Sequence, residues 1–226
     1  MDEAAHPTGR DPLVLLGGTF DPVHAGHLGL ADDVRSALGV SEVRLVPARD
    51  PPHRPPPGAT AVHRLAMLRL AIEGRRGLTL DDREMRRRGR SYTVDTLKEL
   101  RDRDRGRSIV LVLGADAFRG LPTWYRWSEI LELAHIAVAA RPGDPFDSAL
   151  PEPLVALWEN RRTSDPRDLV AARAGRICIV SITPHDVSAS AIRAAIARGG
   201  PEREAVRPLL APAVWDYIAA HRLYAA

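Results

Sequence analysis

The chain of 226 residues has one cysteine and one lysine, and each scarcity closes off chemistry. Cys178 by itself excludes an internal disulfide and a zinc cluster built on cysteines. Its setting, RICIVS, reads as a buried strand. Lys98 sits in TLKEL, a helical context, and no GxxxxGK loop is present, so a P-loop nucleotidase is excluded and a covalent lysyl-adenylate is disfavoured. There is no GxSxG nucleophile elbow. No apolar run approaches the ~20 residues that span a bilayer. The opening stretch MDEAAHPTGRDP is acidic at its start and lacks the apolar core of a secretory signal. A soluble cytoplasmic protein without a membrane partner is expected.

What is present is globular: 45% hydrophobic and 27% charged residues, with 17 glycines and 19 prolines. A chain this long buries roughly 70% of its unfolded surface and folds without a metal or disulfide. It is read as one domain, 1–226, with 1–11 flexible. The 32 basic residues exceed the 29 acidic ones by three, and all but Lys98 are arginine, whose planar fork suits phosphate.

Short apolar runs alternate with helical patterns. Strands are read at 13–16, 43–46, 78–80, 109–113, 135–140 and 176–181. The run at 109–113, IVLVL, is apolar throughout, as in a strand covered on both faces. Helices are read at 27–38, 61–73, 93–101, 127–133, 190–198 and 212–221, with Thr93 near a cap and Gly39 past an end. In 61–73 the apolar positions at helical spacing are Val62, Leu65, Ala66, Leu68 and Ile72. Residues 144–175 contain several prolines and read as an irregular insertion, whereas the arginine-rich 83–90 reads as a solvated or phosphate-near surface. Alternating strands and helices imply an α/β fold: a doubly wound, Rossmann-like parallel sheet, helices on both faces, ligands at the carboxyl ends of the strands.

Two segments carry the chemistry. In GGTFDPVHAGH, a strand runs through Gly17 and Gly18 into a turn and then a helix. The glycines let backbone approach a ligand. His24 and His27, three residues apart, share a face at a helix start, where free N–H groups favour anions. Near the other end, VSASAIR places Ser188 and Ser190 at a helix start with Arg193 three residues beyond, its fork aimed at the same end. Taken singly, each is an ordinary strand–helix turn or capped helix.

Taken together they resemble the nucleotidyltransferase superfamily that shares its HxGH motif with class I aminoacyl-tRNA synthetases, the second segment being similar to its ISSTxIR element. Here Val187 stands for Ile, Ala189 for the second Ser and Ser190 for Thr. Further stretches occur in order: PPHRP, SYTVDTL, LGADAF, PTWYRW and AHIAVAARPG. The set resembles the bacterial nicotinate-nucleotide adenylyltransferase family from about Leu13 to Tyr224, most weakly across 144–175.

The resemblance implies that ATP is bound by Gly17, Gly18, Thr19, Phe20, His24, His27, Gly114, Asp116, Ser188, Ser190 and Arg193, with His24, His27 and Arg193 catalytic. It assigns the pyridine carboxylate and ring of nicotinate mononucleotide to Thr93, Trp124 and Tyr125, and His53 and Arg54 are expected to meet the mononucleotide phosphate. Mg²⁺ arrives with ATP and needs few protein ligands, so no protein metal site is expected. Many family members carry an asparagine soon after the proline closing the second strand. Here Pro47 is followed by Ala48, Arg49 and Asp50, and no role is carried onto them. The implied reaction joins AMP from ATP to nicotinate mononucleotide, releasing pyrophosphate. Nicotinamide mononucleotide or phosphopantetheine is an alternative acceptor, and a non-catalytic arginine-rich RNA-binding protein is a more distant one. With 5% aromatic residues and dispersed arginines, no nucleic-acid partner is expected. A homo-oligomer is compatible with all of this.

Overall fold

A computed structural model describes residues 11–51, 55–144, 146 and 150–225. Seven parallel strands form one sheet: β1 (Leu13–Gly18), β2 (Val43–Pro47), β3 (Leu78–Leu80), β4 (Ile109–Gly114), β5 (His135–Ala140), β6 (Arg162–Thr163) and β7 (Ile177–Ser181). Their order across the sheet is β3-β2-β1-β4-β5-β7-β6. The chain builds outward from β1 in one direction and from β4 in the other, so the order reverses between those two central strands. That reversal opens a crevice at their carboxyl ends.

The helices are α1 (Ala25–Leu38), α2 (Ala61–Ile72), α3 (Arg83–Arg86), α4 (Thr93–Arg103), α5 (Ala115–Arg119), α6 (Ile130–Leu133), α7 (Glu152–Arg161), α8 (Asp168–Ala171), α9 (Ala189–Arg198), α10 (Gly200–Ala205) and α11 (Pro212–Ala220). Successive side chains of a strand point to opposite faces. Val14 and Leu16 of β1 accordingly join Val110 and Val112 of β4 under α1, α2, α9 and α11. Leu13, Leu15, Leu111 and Leu113 face the other way, beneath α4, α5, α6 and α7. Both faces are covered, which is why the central strands read as unbroken apolar runs.

Three local readings change. Residues 152–161, inside the stretch read as an irregular insertion, form helix α7. Leu154 and Trp158 are buried there, with the Trp158 ring edge-on to Phe146 at 5.3 Å. Leu154 and Trp158, one turn apart, supply an apolar face that the surrounding prolines obscured. The arginine-rich 83–90 is partly interior: Glu84 is buried and accepts from the Thr96 hydroxyl at 2.7 Å, and Arg83 forks onto Asp81.

The third change is the phase of α2. Its buried positions are Arg64, Met67, Leu68 and Ala71, while Val62 is exposed. A cation decides this. Arg64, with 1% of its surface exposed, donates to the carbonyls of Ala59 (3.2 Å), Thr19 (2.7 Å), Ala48 (2.7 Å) and Arg49 (2.9 Å). These carbonyls belong to three loops with no ladder partner, so the guanidinium acts as an internal splice between the ends of β1 and β2 and the entry to α2. Arg64→Met is expected to lower the unfolding free energy by about 3–5 kcal/mol, since it strands several buried acceptors. Arg64→Lys, lacking the planar fork, should recover less than half of it. Urea unfolding followed by circular dichroism reads both.

Candidate active site

The crevice begins where β1 runs out. A Cβ at Gly17 would meet nothing within 4 Å, so backbone there lies open, whereas one at Gly18 would come within 3.0 Å of the Phe20 ring. Phe20 curls beneath the strand end with left-handed backbone (φ 49°) and a buried ring, edge-on to His27 with centroids 5.0 Å apart. The chain then passes a cis Asp21–Pro22 peptide and enters α1 with His24 as its N-cap.

The two histidines stack, ring centroids 3.8 Å apart. His27 Nδ1 accepts the His24 backbone N–H at 3.3 Å, which in the neutral ring places the proton on Nε2. Burial, and secondly the neighbouring His185, bring the His24 pKa down to about 4. His24 is therefore a neutral imidazole at physiological pH, a polar group rather than a cation.

Helix α9 converges on the same end of the sheet. Ser188 caps it, its hydroxyl accepting the Ala191 N–H at 3.2 Å. Arg193 Nη1 donates to the main-chain carbonyl of Asp21 at 2.7 Å, and Nη2 to the Ser190 hydroxyl at 3.3 Å. The approach to α9 lies along α1. Thr183 N–H reaches the Asp33 carboxylate at 2.6 Å, and Cβ atoms at Gly29 and Gly26 would fall 2.3 Å from His185 Nε2 and 2.8 Å from Val187 Cγ1. Hydrogen atoms at these two positions thus let the second segment pack on the helix that starts in the first. Beside it lies a cavity of about 210 Å³ walled by Val187, Ala191, Ile192, Val206 and Leu209, with Arg141 and Ser188 at its polar edge.

A second group of residues gathers around the start of α4. Thr93 is its first residue, after the N-cap Tyr92. The Tyr92 and Tyr125 rings lie 4.5 Å apart and bring Trp124 and Tyr125 to that helix end. Trp124 is half-buried against the core beneath α4, and Tyr125 is 49% exposed. The loop after β2 is strapped across to this region: Ala48 N–H donates to Gly18, Arg49 N–H to the Ser91 hydroxyl and Ser91 N–H to Asp50, all within 3.0 Å. Gly114 closes β4, and a Cβ there would face open space. Asp116, in α5, is fully exposed and pairs with Arg119 at 3.1 Å. His53 and Arg54 lie outside the described residues.

The family described as cytidylyltransferase-like matches residues 15–195. A protein of Laribacter hongkongensis named a probable nicotinate-nucleotide adenylyltransferase is 50% identical over 218 residues, 95% of each chain. One of Hahella chejuensis with the same name is 46% identical over 219 residues, covering 96% of this chain and 97% of its own. The chain belongs to the nicotinate-nucleotide adenylyltransferase family. The fold is also that of a solved Plasmodium falciparum nicotinic acid mononucleotide adenylyltransferase complexed with NaAD, at a TM-score of 0.72 over 95% of this chain and 98% of that one, with 18% identity.

In this nicotinate-nucleotide adenylyltransferase chain, the structure brings together the residues singled out around His24 and around Arg193. Thr93, Trp124 and Tyr125 form a separate group, joined to the first through the loop after β2. Thr19 enters through its carbonyl, which Arg64 holds. Ala48 and Arg49, to which no role was carried, likewise contribute carbonyls to Arg64. Several residues of this region escaped sequence reasoning: Asp21, Arg64, Tyr92, His185 and Tyr224. Asp21 lay inside GGTFDPVHAGH and Tyr92 inside SYTVDTL. The others are single polar or aromatic residues whose partners are distant in the chain, so no spacing pattern marks them.

The buried histidine gives a signed pH effect. Its folded pKa of about 4 lies below the ordinary 6.5, so on acidification the unfolded chain takes up the proton first. Stability contributed by neutral His24 is complete above about pH 6.5 and is lost progressively towards pH 4. Between pH 7 and 5, His24→Gln should lose about 1–2 kcal/mol less unfolding free energy than the unsubstituted protein. Urea titrations at the two pH values measure this, and equal losses in both proteins contradict it.

Proposed function

We infer that this chain transfers AMP from ATP to nicotinate mononucleotide, forming nicotinate adenine dinucleotide and pyrophosphate in NAD biosynthesis. The observation that carries the assignment of residues is the hydrogen bond from Arg193 to Asp21, which joins the HxGH turn and the serine–arginine helix into one polar surface at the reversal of strand order.

The mononucleotide phosphate is anionic near neutral pH and needs no general base. Its oxygen attacks the ATP α-phosphorus, a new P–O–P linkage forms, and the bond to the β-phosphate breaks as pyrophosphate leaves. The protein's work is alignment and charge stabilisation. His27 Nε2–H and the amino end of α1 serve the α-phosphate, with His24 as a neutral neighbour. Ser188, Ser190 and Arg193 hold the triphosphate tail that becomes the leaving group, with the Ser190–Arg193 hydrogen bond supporting a preset geometry. The open backbone at Gly17 permits close approach of the nucleotide, and Gly18 leaves room for the Phe20 ring, which with Thr19 shapes the turn beneath it. Gly114, at the end of β4, contacts ATP, and Asp116, just beyond the strand, accepts from ribose hydroxyls. The cavity beside Ser188 has apolar walls and a polar rim suited to an aromatic base.

On the other side, Trp124 stacks on the pyridine, and the amino end of α4 at Thr93, with the backbone of Tyr125, receives its carboxylate. His53 and Arg54 take the mononucleotide phosphate. Mg²⁺ enters with ATP. The imidazoles and guanidinium beside Ser188 and Ser190 are nitrogen groups, and a hard cation prefers oxygen ligands, so phosphate oxygens and water would hold the metal, which would supply charge neutralisation to the triphosphate. We read the chain as a single nucleotidyltransferase domain working in the cytoplasm.

Pyrophosphate release measured with ATP and each acceptor tests this. Nicotinate mononucleotide is expected to outperform nicotinamide mononucleotide and phosphopantetheine in kcat/KM, and equal rates for acid and amide would remove the role given to Thr93. His27→Ala should lower kcat by about 10²–10³ with a much smaller rise in the KM for ATP. Near-normal turnover refutes the phosphate role.

A further inference from the structure

Asp21 is an unusual member of the HxGH turn. Its carboxylate is 4% exposed, yet it collects partners from three distant parts of the chain. Oδ2 accepts the Gly58 N–H at 2.7 Å, and Oδ1 accepts the Ala59 N–H at 3.0 Å and the Tyr224 hydroxyl at 2.7 Å. Arg193 Nη1, bonded to the Asp21 main-chain oxygen, stands 3.6 Å from Oδ2, just beyond hydrogen-bond reach. We propose that Asp21 and Tyr224 form a latch that sets where the Arg193 guanidinium points, making Tyr224 a positioning residue for adenylyl transfer. The proposal rests on the assignment of Arg193 to the ATP phosphates.

The physical case is a competition for a buried anion. A carboxylate out of water needs its lone pairs filled. With Tyr224 and the two N–H groups in place, Asp21 has donors enough to leave Arg193 at the longer distance, bonded instead to the Asp21 carbonyl and the Ser190 hydroxyl. Burial and the Asp21 carboxylate raise the Tyr224 hydroxyl far above the ordinary phenol range, so it remains a donor throughout the working pH range. Without that hydroxyl, Oδ1 keeps one donor, and the nearest cation able to compensate is Arg193, drawn inward and away from ATP. Packing tightens the link. A Cβ at Gly58 would lie 3.1 Å from Arg193 Cδ and 3.2 Å from the Tyr224 ring, so glycine there lets the arginine stem and the tyrosine press on one point of the loop. Tyr224 itself holds a left-handed backbone (φ 61°), a conformation that a non-glycine residue keeps only where tertiary contacts enforce it.

A double-mutant cycle decides the matter. Tyr224→Phe removes one oxygen atom and is expected to reduce kcat/KM for ATP about tenfold, while the KM for nicotinate mononucleotide moves less than about twofold. In an Arg193→Lys background the same substitution should change kcat/KM for ATP by less than about twofold, because the group it positions is gone. A purely structural tyrosine would give equal losses in both backgrounds, and that outcome overturns the latch. So does a Tyr224→Phe enzyme with unaltered ATP kinetics. If Arg193→Lys alone leaves ATP kinetics unchanged, the assignment of Arg193 fails and the latch fails with it, a result distinguishable from additive losses. Gly58→Ala provides a second route into the same cycle should Tyr224→Phe fold poorly. Its methyl presses on both side chains, and its effect should likewise vanish in the Arg193→Lys background.

Discussion

The turn after β1 depends on two charges that have been taken out of water, the Asp21 carboxylate and the Arg64 guanidinium. Neither is buried for a direct contact with the other. Arg64 spends its N–H groups on the carbonyls of Ala59, Thr19, Ala48 and Arg49, and Asp21 fills its lone pairs from Gly58, Ala59, Tyr224 and the neighbourhood of Arg193. Uncompensated, either would cost several kcal/mol. Compensated, each ties loops that no sheet ladder reaches to the end of β1. The turn that carries the histidines is thereby fixed to the loop after β2, to α9 and to the segment after α11 before any ligand arrives.

The chemical groups that remain are suited to moving a phosphoryl centre without a covalent intermediate. Cys178 is buried in β7 and its thiol is pushed up to about 11, chiefly by desolvation, so it is no nucleophile. Lys98 is committed to Glu129 at 2.7 Å. Burial keeps His24 a neutral imidazole, while Arg193, hydrogen-bonded to the Asp21 carbonyl and to Ser190, is a permanent cation on the same side of the fold.

Much of the fold was legible. The runs at 13–16, 109–113 and 135–140 are apolar throughout because both sheet faces are covered, and the structure has strands at those places. Legibility failed where a polar residue occupied the interior. Helix α2 turns Arg64 inward, so a count of apolar positions chose a face containing Val62, which is exposed. Helix α7 was hidden by prolines on its approach. The site followed the same division. Short-range signals, two glycines and two histidines before one helix, a serine cap and an arginine one turn later, mark groups whose chemistry is local. Tyr224 and His185 work through partners remote in the chain and leave no such trace.

The sequence by itself determined an α/β chain with a parallel sheet, the two motif-bearing segments at helix starts and the family, because strand burial, helix starts and glycine turns are written in neighbouring residues. Only the tertiary structure decided that Asp21 joins Arg193 to Tyr224, that His24 is kept neutral, and that Gly26 and Gly29 seat the approach to α9. Hydrogen bonds, burial and close packing depend on distances between residues far apart along the chain, and those distances exist only once it has folded.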